Sequence, residues 1–255
     1  MARSRLPLYG LASMSHDLTI RIDGRFCGPP ESGNGGYVCG RLARFIDGNA
    51  AAVRLTLPPP LATALEVRKT EDGVALFDGE VVVAEARPTT LSLESPAPPS
   101  YEEAEAASRH YPGFASHWFP TCFVCGPERV AGDGLRIFPG PIEGSDRVAC
   151  PWVPDPSLAD ATGAVSPEFL WAALDCPGAF SFAKPAAGVV LLGELQVRLS
   201  GEVAAGERCV LVAWELAQRG RKHQTATALF GESGACRGLG LGTWFEVERF
   251  PAAGG

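Results

Sequence analysis

The sequence predicts an α+β fold of two tandem units, each with a central helix and an antiparallel sheet. Three observations support this prediction. Short strand-like runs dominate the chain, one helical pattern precedes a group of strands in each half, and a Pro-, Ala- and Glu-rich stretch separates the halves. Strands and helices do not alternate, so a doubly wound parallel sheet is disfavoured.

Composition limits the possible classes of function. The chain has 255 residues, of which 46% are hydrophobic and 20% charged, so it can bury a core and is not broadly disordered. Its net charge of −7 is spread along the chain. A nucleic-acid-binding protein needs a basic stripe for phosphates, so no nucleic-acid partner is expected. The abundance of arginine and alanine is typical of a GC-rich bacterial coding sequence.

Apolar runs are too short for a membrane protein. None approaches the roughly 20 residues that span a bilayer, and residues 1–17 make a poor signal peptide because they lack a continuous apolar core. The sequence therefore predicts a soluble, cytoplasmic protein without a membrane partner.

The first unit is predicted over residues 17–87. A strand is expected over 18–26, followed by a helix because Val38, Leu42, Phe45 and Ile46 share one helical face. The strands expected after this helix are 51–57, 65–70 and 74–86, the last divided by Asp78-Gly79.

A linker is predicted over residues 88–117, where hydrophobic periodicity stops, with a short polar helix near 101–109. The second unit is predicted over 118–249. Its helix begins at Ser166-Pro-Glu168, which offers an N-cap, a proline at the first helical position and an acid in the first turn. Its predicted strands are 135–138, 147–152, 189–199, 209–217, 223–230 and 237–247.

Two pairs of strand sequences suggest that the second unit repeats the first. Val53-Arg-Leu55 matches Val197-Arg-Leu199, and residues 65–67 match 210–212. Chance similarity between valine-rich strands is the alternative interpretation. If the units are related, they could pair edge to edge into one continuous sheet, which would protect one exposed edge of each.

Three segments carry a family resemblance: Asn34-Gly-Gly-Tyr37, Thr121-Cys-Phe-Val-Cys-Gly-Pro127 followed by residues 134–137, and residues 169–178, which end in Leu174-Asp-Cys-Pro-Gly178. They resemble the hotdog-fold thioesterase superfamily, and their duplicated arrangement is similar to the fused double-hotdog acyl-CoA thioesterases. The resemblance implies two hotdog units fused as a pseudo-dimer, each with a long central helix wrapped by an antiparallel sheet. It also implies an acyl-CoA or acyl-carrier thioester as substrate.

The resemblance further implies a site between the units. Asn34 and Gly36 would supply oxyanion donors at the first helix, because a helix N-terminus carries partial positive charge and unpaired N–H groups. Asp175, a mid-helix carboxylate of the second unit, would activate water or attack directly. Gly35 and Tyr37 are expected to bind substrate. The mirror site looks incomplete, since aligning the helix starts places Ala43 opposite the aspartate.

Two residues of a later strand and turn are further candidates for substrate binding. Gln224 falls on the apolar face of the strand that contains Ala226 and could position substrate. Arg221 belongs to a small basic cluster that could meet CoA phosphates. Either could instead be an ordinary strand-end or turn residue.

Competing chemistries have less support. Cys122 and Cys125 form a Cys-x-x-Cys pair, but a tetrahedral zinc site needs two more ligands and the sequence has no second pair. No metal or cofactor is therefore expected, and packing in a loop is the expected role of this pair. No Gly-x-Ser-x-Gly elbow, Walker loop or dinucleotide fingerprint is present.

Three functions remain open at this stage. The first is thioester hydrolysis, and the second is non-catalytic binding of acyl thioesters at a degenerate site. The third is a structural hotdog pair without ligand. Asp175 could itself be a surface or capping residue, and two pseudo-dimers could associate as a homodimer.

Overall fold

A computed structural model describes residues 18–185 and 188–250 of the chain. Residues 1–17, which were predicted to be a poor signal peptide, lie outside these ranges. The predicted start of the first unit, residue 17, lies outside them too. In the described ranges the α-helices are α1 (Gly35–Ala43), α2 (Tyr101–Ser108) and α3 (Pro167–Ala173). The strands are β1 (Thr19–Arg21), β2 (Ala50–Leu55), β3 (Ala64–Lys69), β4 (Val74–Asp78), β5 (Val81–Pro88), β6 (Gly140–Pro141), β7 (Val148–Trp152), β8 (Val189–Leu199), β9 (Cys209–Arg219), β10 (Lys222–Phe230) and β11 (Cys236–Val247).

The strands form one continuous antiparallel sheet in the order β1-β3-β4-β5-β2-β8-β11-β10-β9-β7-β6. Its middle is the pairing of β2 with β8, in which Ala51 lies opposite Val197 and Val53 opposite Leu195. The two strands that carry the matching Val-Arg-Leu sequences are therefore neighbours at the centre. From this centre outward, the strands follow in the order β5, β4, β3 and β1 on one side. On the other side the order is β11, β10, β9 and β7, with β6 at the edge.

Helices α1 and α3 pack against each other on one face of the sheet. Gly40 makes the close contact possible, since a Cβ atom there would lie 2.6 Å from the Cα of Glu168 and 2.8 Å from the Cβ of Trp171. Trp171 is fully buried, as are Leu42 of α1 and Leu195 and Leu211 of the sheet. This helix pair and the sheet face beneath it form the main core.

The segment predicted as a linker packs on the opposite face of the sheet. Successive residues of a strand point to opposite faces, and Leu211 joins the main core while Val212 joins a second cluster. That second cluster contains Ala104 and Ala107 of α2. Helix α2 starts with a capping box in which Ser100 and Glu103 exchange hydrogen bonds. The proposed unit boundaries remain predictions.

Four predicted elements, two strands and two helices, differ from the structure. The strand expected over 18–26 is only β1, because Asp23 accepts a hydrogen bond from the Arg25 N–H and starts a 3₁₀ turn. Residues 135–138 form no sheet strand; the N–H groups of Leu135 and Ile137 donate instead to the carbonyls of Phe123 and Val124. Both central helices are short, with nine residues in α1 and seven in α3.

Within the described ranges, no helix has the length and apolar character needed to cross a bilayer.

Candidate active site

The start of α1 is buried and rich in hydrogen-bond donors. Asn34 is the N-cap, and its side-chain Oδ1 accepts a hydrogen bond from the Tyr37 N–H at 2.9 Å. Asn and Asp are favoured at this position because they satisfy one of the first unpaired N–H groups of a helix. The two glycines that follow have no side chains of their own, so other residues can approach the backbone of the first turn closely.

Asp175 lies just beyond α3, at its junction with a 3₁₀ helix over Cys176–Phe180. The prediction of a mid-helix carboxylate was therefore wrong in detail. Pro177 explains the difference, because proline has no N–H to donate and disfavours the α conformation of the residue before it. The Asp175 N–H donates to the Ala172 carbonyl, a tighter three-residue step. The turn directs the Asp175 side chain toward the start of α1.

The structure brings Asp175, Asn34 and Gly36 together. Oδ2 of Asp175 accepts a 2.8 Å hydrogen bond from the Gly36 N–H and a 3.2 Å hydrogen bond from Nδ2 of Asn34. A Cβ atom on Gly36 would lie 2.4 Å from the Cβ of Asp175 and 2.9 Å from the Trp171 carbonyl oxygen. Glycine at this position is thus what allows the carboxylate to reach the helix backbone.

The environment of Asp175 favours its neutral form. The residue is 3% exposed, and burial raises its pKa to about 7, against the opposing effect of the hydrogen bond from Gly36. Its other oxygen, Oδ1, is buried and has no hydrogen-bond partner among the described residues. A carboxylate with such a pKa and a free oxygen is suited to accept a proton near neutral pH.

A groove of about 650 Å³ lies beside Gly35. Leu55 of β2, Leu192 of β8 and Gln224 of β10 contribute to its wall. The charged residues of the lining are Arg54, Lys222 and Glu194, with two positive charges against one negative. Asp175 is not part of the lining. The groove therefore reaches Gly35, the first residue of α1, and the buried Asp175 carboxylate is hydrogen-bonded to the next residue, Gly36.

Known structures with a similar course of the chain decide the fold. A candidate thioesterase from Novosphingobium aromaticivorans aligns over 91% of this chain and 97% of its own, with a TM-score of 0.58 and 12% identity. A protein of unknown function with hotdog fold from Alicyclobacillus acidocaldarius aligns over 90% and 92%, with a TM-score of 0.55 and 11% identity. The chain has the hotdog fold.

A third similar structure is a candidate thioesterase II from Thermobifida fusca, with a TM-score of 0.53, 12% identity and coverage of 90% of this chain and 91% of its own. Comparison with models of protein families gives no match. Comparison with curated proteins gives none either. At these identities the likeness concerns the hotdog fold, and the site must be judged from its own geometry.

Two predicted substrate-binding residues of this hotdog chain lie away from the groove lining. Tyr37 is buried, and its ring stacks on Phe26 with the ring centroids 4.3 Å apart, so it is a core residue. Arg221 is exposed in the turn before β10 and does not line the groove, whereas its neighbour Lys222 does. Gln224, by contrast, lies in the groove as the strand pattern suggested.

The alignment of the two helices made from sequence gives Asp175 no acidic counterpart in the first half of the chain. Pro167 starts α3 as Gly35 starts α1, which agrees with the alignment of the two helices made from sequence. Ala43, the counterpart of Asp175 in that alignment, ends α1 as a buried apolar residue. Helix α1 (Gly35–Ala43) therefore contains no acidic counterpart of Asp175.

A thiol cluster next to Asp175 was missed by sequence reasoning. The Sγ atoms of Cys122, Cys125 and Cys176 all lie within 4.8 Å of one another, and all three residues are buried. The Cys-x-x-Cys pair was recognised from its spacing, but Cys176 lies about fifty residues further along the chain. Only the fold reveals it as the third member.

Proposed function

We propose that this chain hydrolyses acyl thioesters, with acyl-CoA or an acyl carrier as substrate, and that it consists of two hotdog units fused in tandem as a pseudo-dimer. The observation that carries the proposal is the 2.8 Å hydrogen bond between the Gly36 N–H and Asp175. It joins an acid from the later half of the chain to the helix start of the earlier half, and a site between units needs such a contact.

The register at the centre of the sheet supports the pseudo-dimer. If residues 51 and 53 correspond to 195 and 197, as the Val-Arg-Leu match suggests, the pair Ala51–Val197 becomes the pair Val53–Leu195 when the halves are exchanged. Both pairs are present. A two-fold relation between the halves requires this property. The same relation accounts for the matching order of strands on the two sides of the centre, where β5, β4, β3 and β1 correspond to β11, β10, β9 and β7.

In the proposed reaction the thioester carbonyl approaches the N-terminus of α1 from the groove. Asp175 takes a proton from a water molecule while the water oxygen attacks the carbonyl carbon, and the developing oxyanion is stabilised by helix N–H groups. The C–S bond then breaks and the thiolate leaves with the proton. Direct attack by the carboxylate, giving an acyl-enzyme anhydride that water cleaves, is the alternative route.

The donors divide between two tasks. The Gly36 N–H is already bonded to Asp175 and therefore holds the base in place. Gly35 lines the groove, and its N–H belongs to the first helical turn, where N–H groups have no intrahelical partner. We assign the oxyanion contact to Gly35. Asn34 keeps its role at the site by capping α1 and donating to Asp175.

The groove fits the chemistry of an acyl thioester. Leu55, Leu192 and Phe245 offer apolar surface for the acyl chain and the pantetheine arm, and Gln224 offers a hydrogen bond. Arg54 and Lys222 suit the phosphates of CoA. Because Asp175 is buried beyond Gly35, the side chains beside Gly35 must separate slightly for the thioester to reach it.

A second function, non-catalytic binding of acyl thioesters, is favoured by one observation: Asp175 lies outside the groove and is held by two hydrogen bonds. Thiol release from acyl-CoA substrates of increasing chain length separates the two functions. Hydrolysis predicts release that is saturable in substrate. Saturable binding without any release would establish the binding protein and overturn the hydrolase.

Cytoplasmic location, a bacterial source and a homodimer of pseudo-dimers remain predictions. Light scattering on the purified chain tests the last of these directly.

A further inference from the structure

Three buried thiols converge behind the proposed active site, two from the 121–127 turn and one from the segment that follows α3. Cys122 and Cys176 have their Sγ atoms 3.9 Å apart, and Cys125 lies within 4.8 Å of both. Their exposed fractions are 3%, 7% and 4%. Isolated buried cysteines commonly serve as small apolar side chains, but three sulfur atoms meeting at one point form a ligand set.

The backbone around Cys122 and Cys125 has the tight turn that brings both thiols to one side. The Gly126 N–H donates to the Cys122 carbonyl at 2.9 Å, and a Cβ atom on Gly126 would lie 2.5 Å from the Cys122 nitrogen. Only glycine fits there. Tyr111 holds the same peptide unit from its other side, because its hydroxyl donates to the Cys125 carbonyl at 3.0 Å.

We propose that Cys122, Cys125 and Cys176 bind a metal ion that prefers thiolates, in the first place Zn²⁺. Zinc binds cysteine thiolates at about 2.3 Å in tetrahedral geometry, which places two sulfur ligands roughly 3.8 Å apart. The separation of 3.9 Å between Cys122 and Cys176 matches this value, and the third sulfur needs only a small adjustment. Soft thiolate ligands select zinc over magnesium or calcium.

The surroundings provide for the charge of such a site. Nδ2 of Asn34 lies 3.8 Å from Sγ of Cys122 and 3.7 Å from Sγ of Cys176, at the distance of N–H···S hydrogen bonds. Outer hydrogen bonds of this kind orient metal ligands and tune their basicity.

The fourth coordination position is assigned to water. Among the described residues no further Cys, His, Asp or Glu side chain lies close enough to all three sulfur atoms to complete the group. Oδ2 of Asp175 is 4.0 Å from Sγ of Cys176 but is already bonded to Gly36 and Asn34. The ion would thus join the 121–127 turn to the end of α3 and fix the backbone from which Asp175 projects.

Metal uptake is measured without substrate, so its outcome is independent of the thioesterase proposal. The full chain is reduced, freed of metal with a chelator, and titrated with Zn²⁺ and separately with Co²⁺. We expect about one zinc per chain by elemental analysis, as a single tetrahedral site requires. We also expect a thiolate-to-cobalt charge-transfer band, and protection of these three cysteines from alkylation.

A matched pair of variants assigns the site. Cys176→Ala should lose the zinc and the cobalt band, while Cys150→Ala, which removes a fully buried thiol of β7 outside the cluster, should keep both. If Cys176→Ala does not fold, alkylation mapping on the unmodified chain still decides the question. Absence of zinc and cobalt uptake by the reduced chain would overturn the proposal, as would equal alkylation of the three thiols with and without metal.

Discussion

The Gly36 N–H donates to Oδ2 of Asp175 at 2.8 Å, across 139 residues of sequence. This hydrogen bond joins the helix start of one half of the chain to the end of the helix in the other. It places Asp175, an acid with a raised pKa, at the positive end of α1. Gly36 is bonded to this acid, and the preceding residue, Gly35, lines the groove. The proposed chemistry depends on this geometry.

Replacement of Gly36 by alanine tests how closely the two halves meet. The added Cβ would lie 2.4 Å from the Cβ of Asp175 and 2.9 Å from the Trp171 carbonyl, so the aspartate must move. We expect thiol release to fall by about a hundredfold and the free energy of unfolding to fall by about 1–3 kcal/mol, as for other overpacked sites. Kinetics and urea denaturation measure the two effects.

Gly24→Ala is the matched control, because a Cβ on Gly24 has no neighbouring atom within 4 Å. It should leave both quantities near their original values. Unchanged turnover in Gly36→Ala would show that the contact with Asp175 has no part in the reaction.

Gly40→Ala tests the packing of α1 against α3 without touching the site. The new Cβ would meet the Cα of Glu168 at 2.6 Å, and a backbone atom cannot turn aside as a flexible side chain can. We expect a loss of about 1–3 kcal/mol in the free energy of unfolding, measured by urea denaturation. A stability equal to that of the original chain would mean that the helices are less closely packed than the structure indicates.

The charge at the mouth of the groove distinguishes two neighbouring basic residues. Lys222 lines the groove and Arg221 does not, although both are exposed. Lys222→Glu should therefore raise the KM for acyl-CoA roughly tenfold at low salt, and the effect should shrink at high salt, where charges are screened. Arg221→Glu should change KM little. The opposite ranking would restore the sequence-based choice of Arg221.

Local patterns predicted much of this fold. The runs 189–199 and 74–86 with its break at Asp78-Gly79 correspond closely to β8 and to β4 with β5, because side-chain alternation and turn residues act over a few positions. The run 135–138 has the same apolar character but bonds to the 121–127 turn. The sequence of this run alone does not show whether its backbone pairs with a strand of the sheet or with the 121–127 turn.

The candidate site was predictable to the same extent. Gly35, Gly36 and Asp175 were identified because a resemblance to a known family marked them, and the structure brings them together. The thiol of Cys176 was not identified, because ligand spacing is informative only within a local motif and this contact is made by the tertiary fold. The burial of Tyr37 could not be predicted either, since it depends on Phe26, which stacks on it from another turn.

The most direct test of the proposed function is thiol release by Asp175→Asn, compared with Glu168→Gln. Asparagine keeps the shape of Asp175 and can still accept the Gly36 hydrogen bond, but it cannot take a proton. Glu168 is the matched control because it is also a buried carboxylate with an unpartnered oxygen, and it lies in the first turn of α3, the helix that ends just before Asp175. We predict that Asp175→Asn binds acyl-CoA as before and loses turnover by at least about a hundredfold, whereas Glu168→Gln retains it. Undiminished hydrolysis by Asp175→Asn would contradict the assignment of this carboxylate as the base.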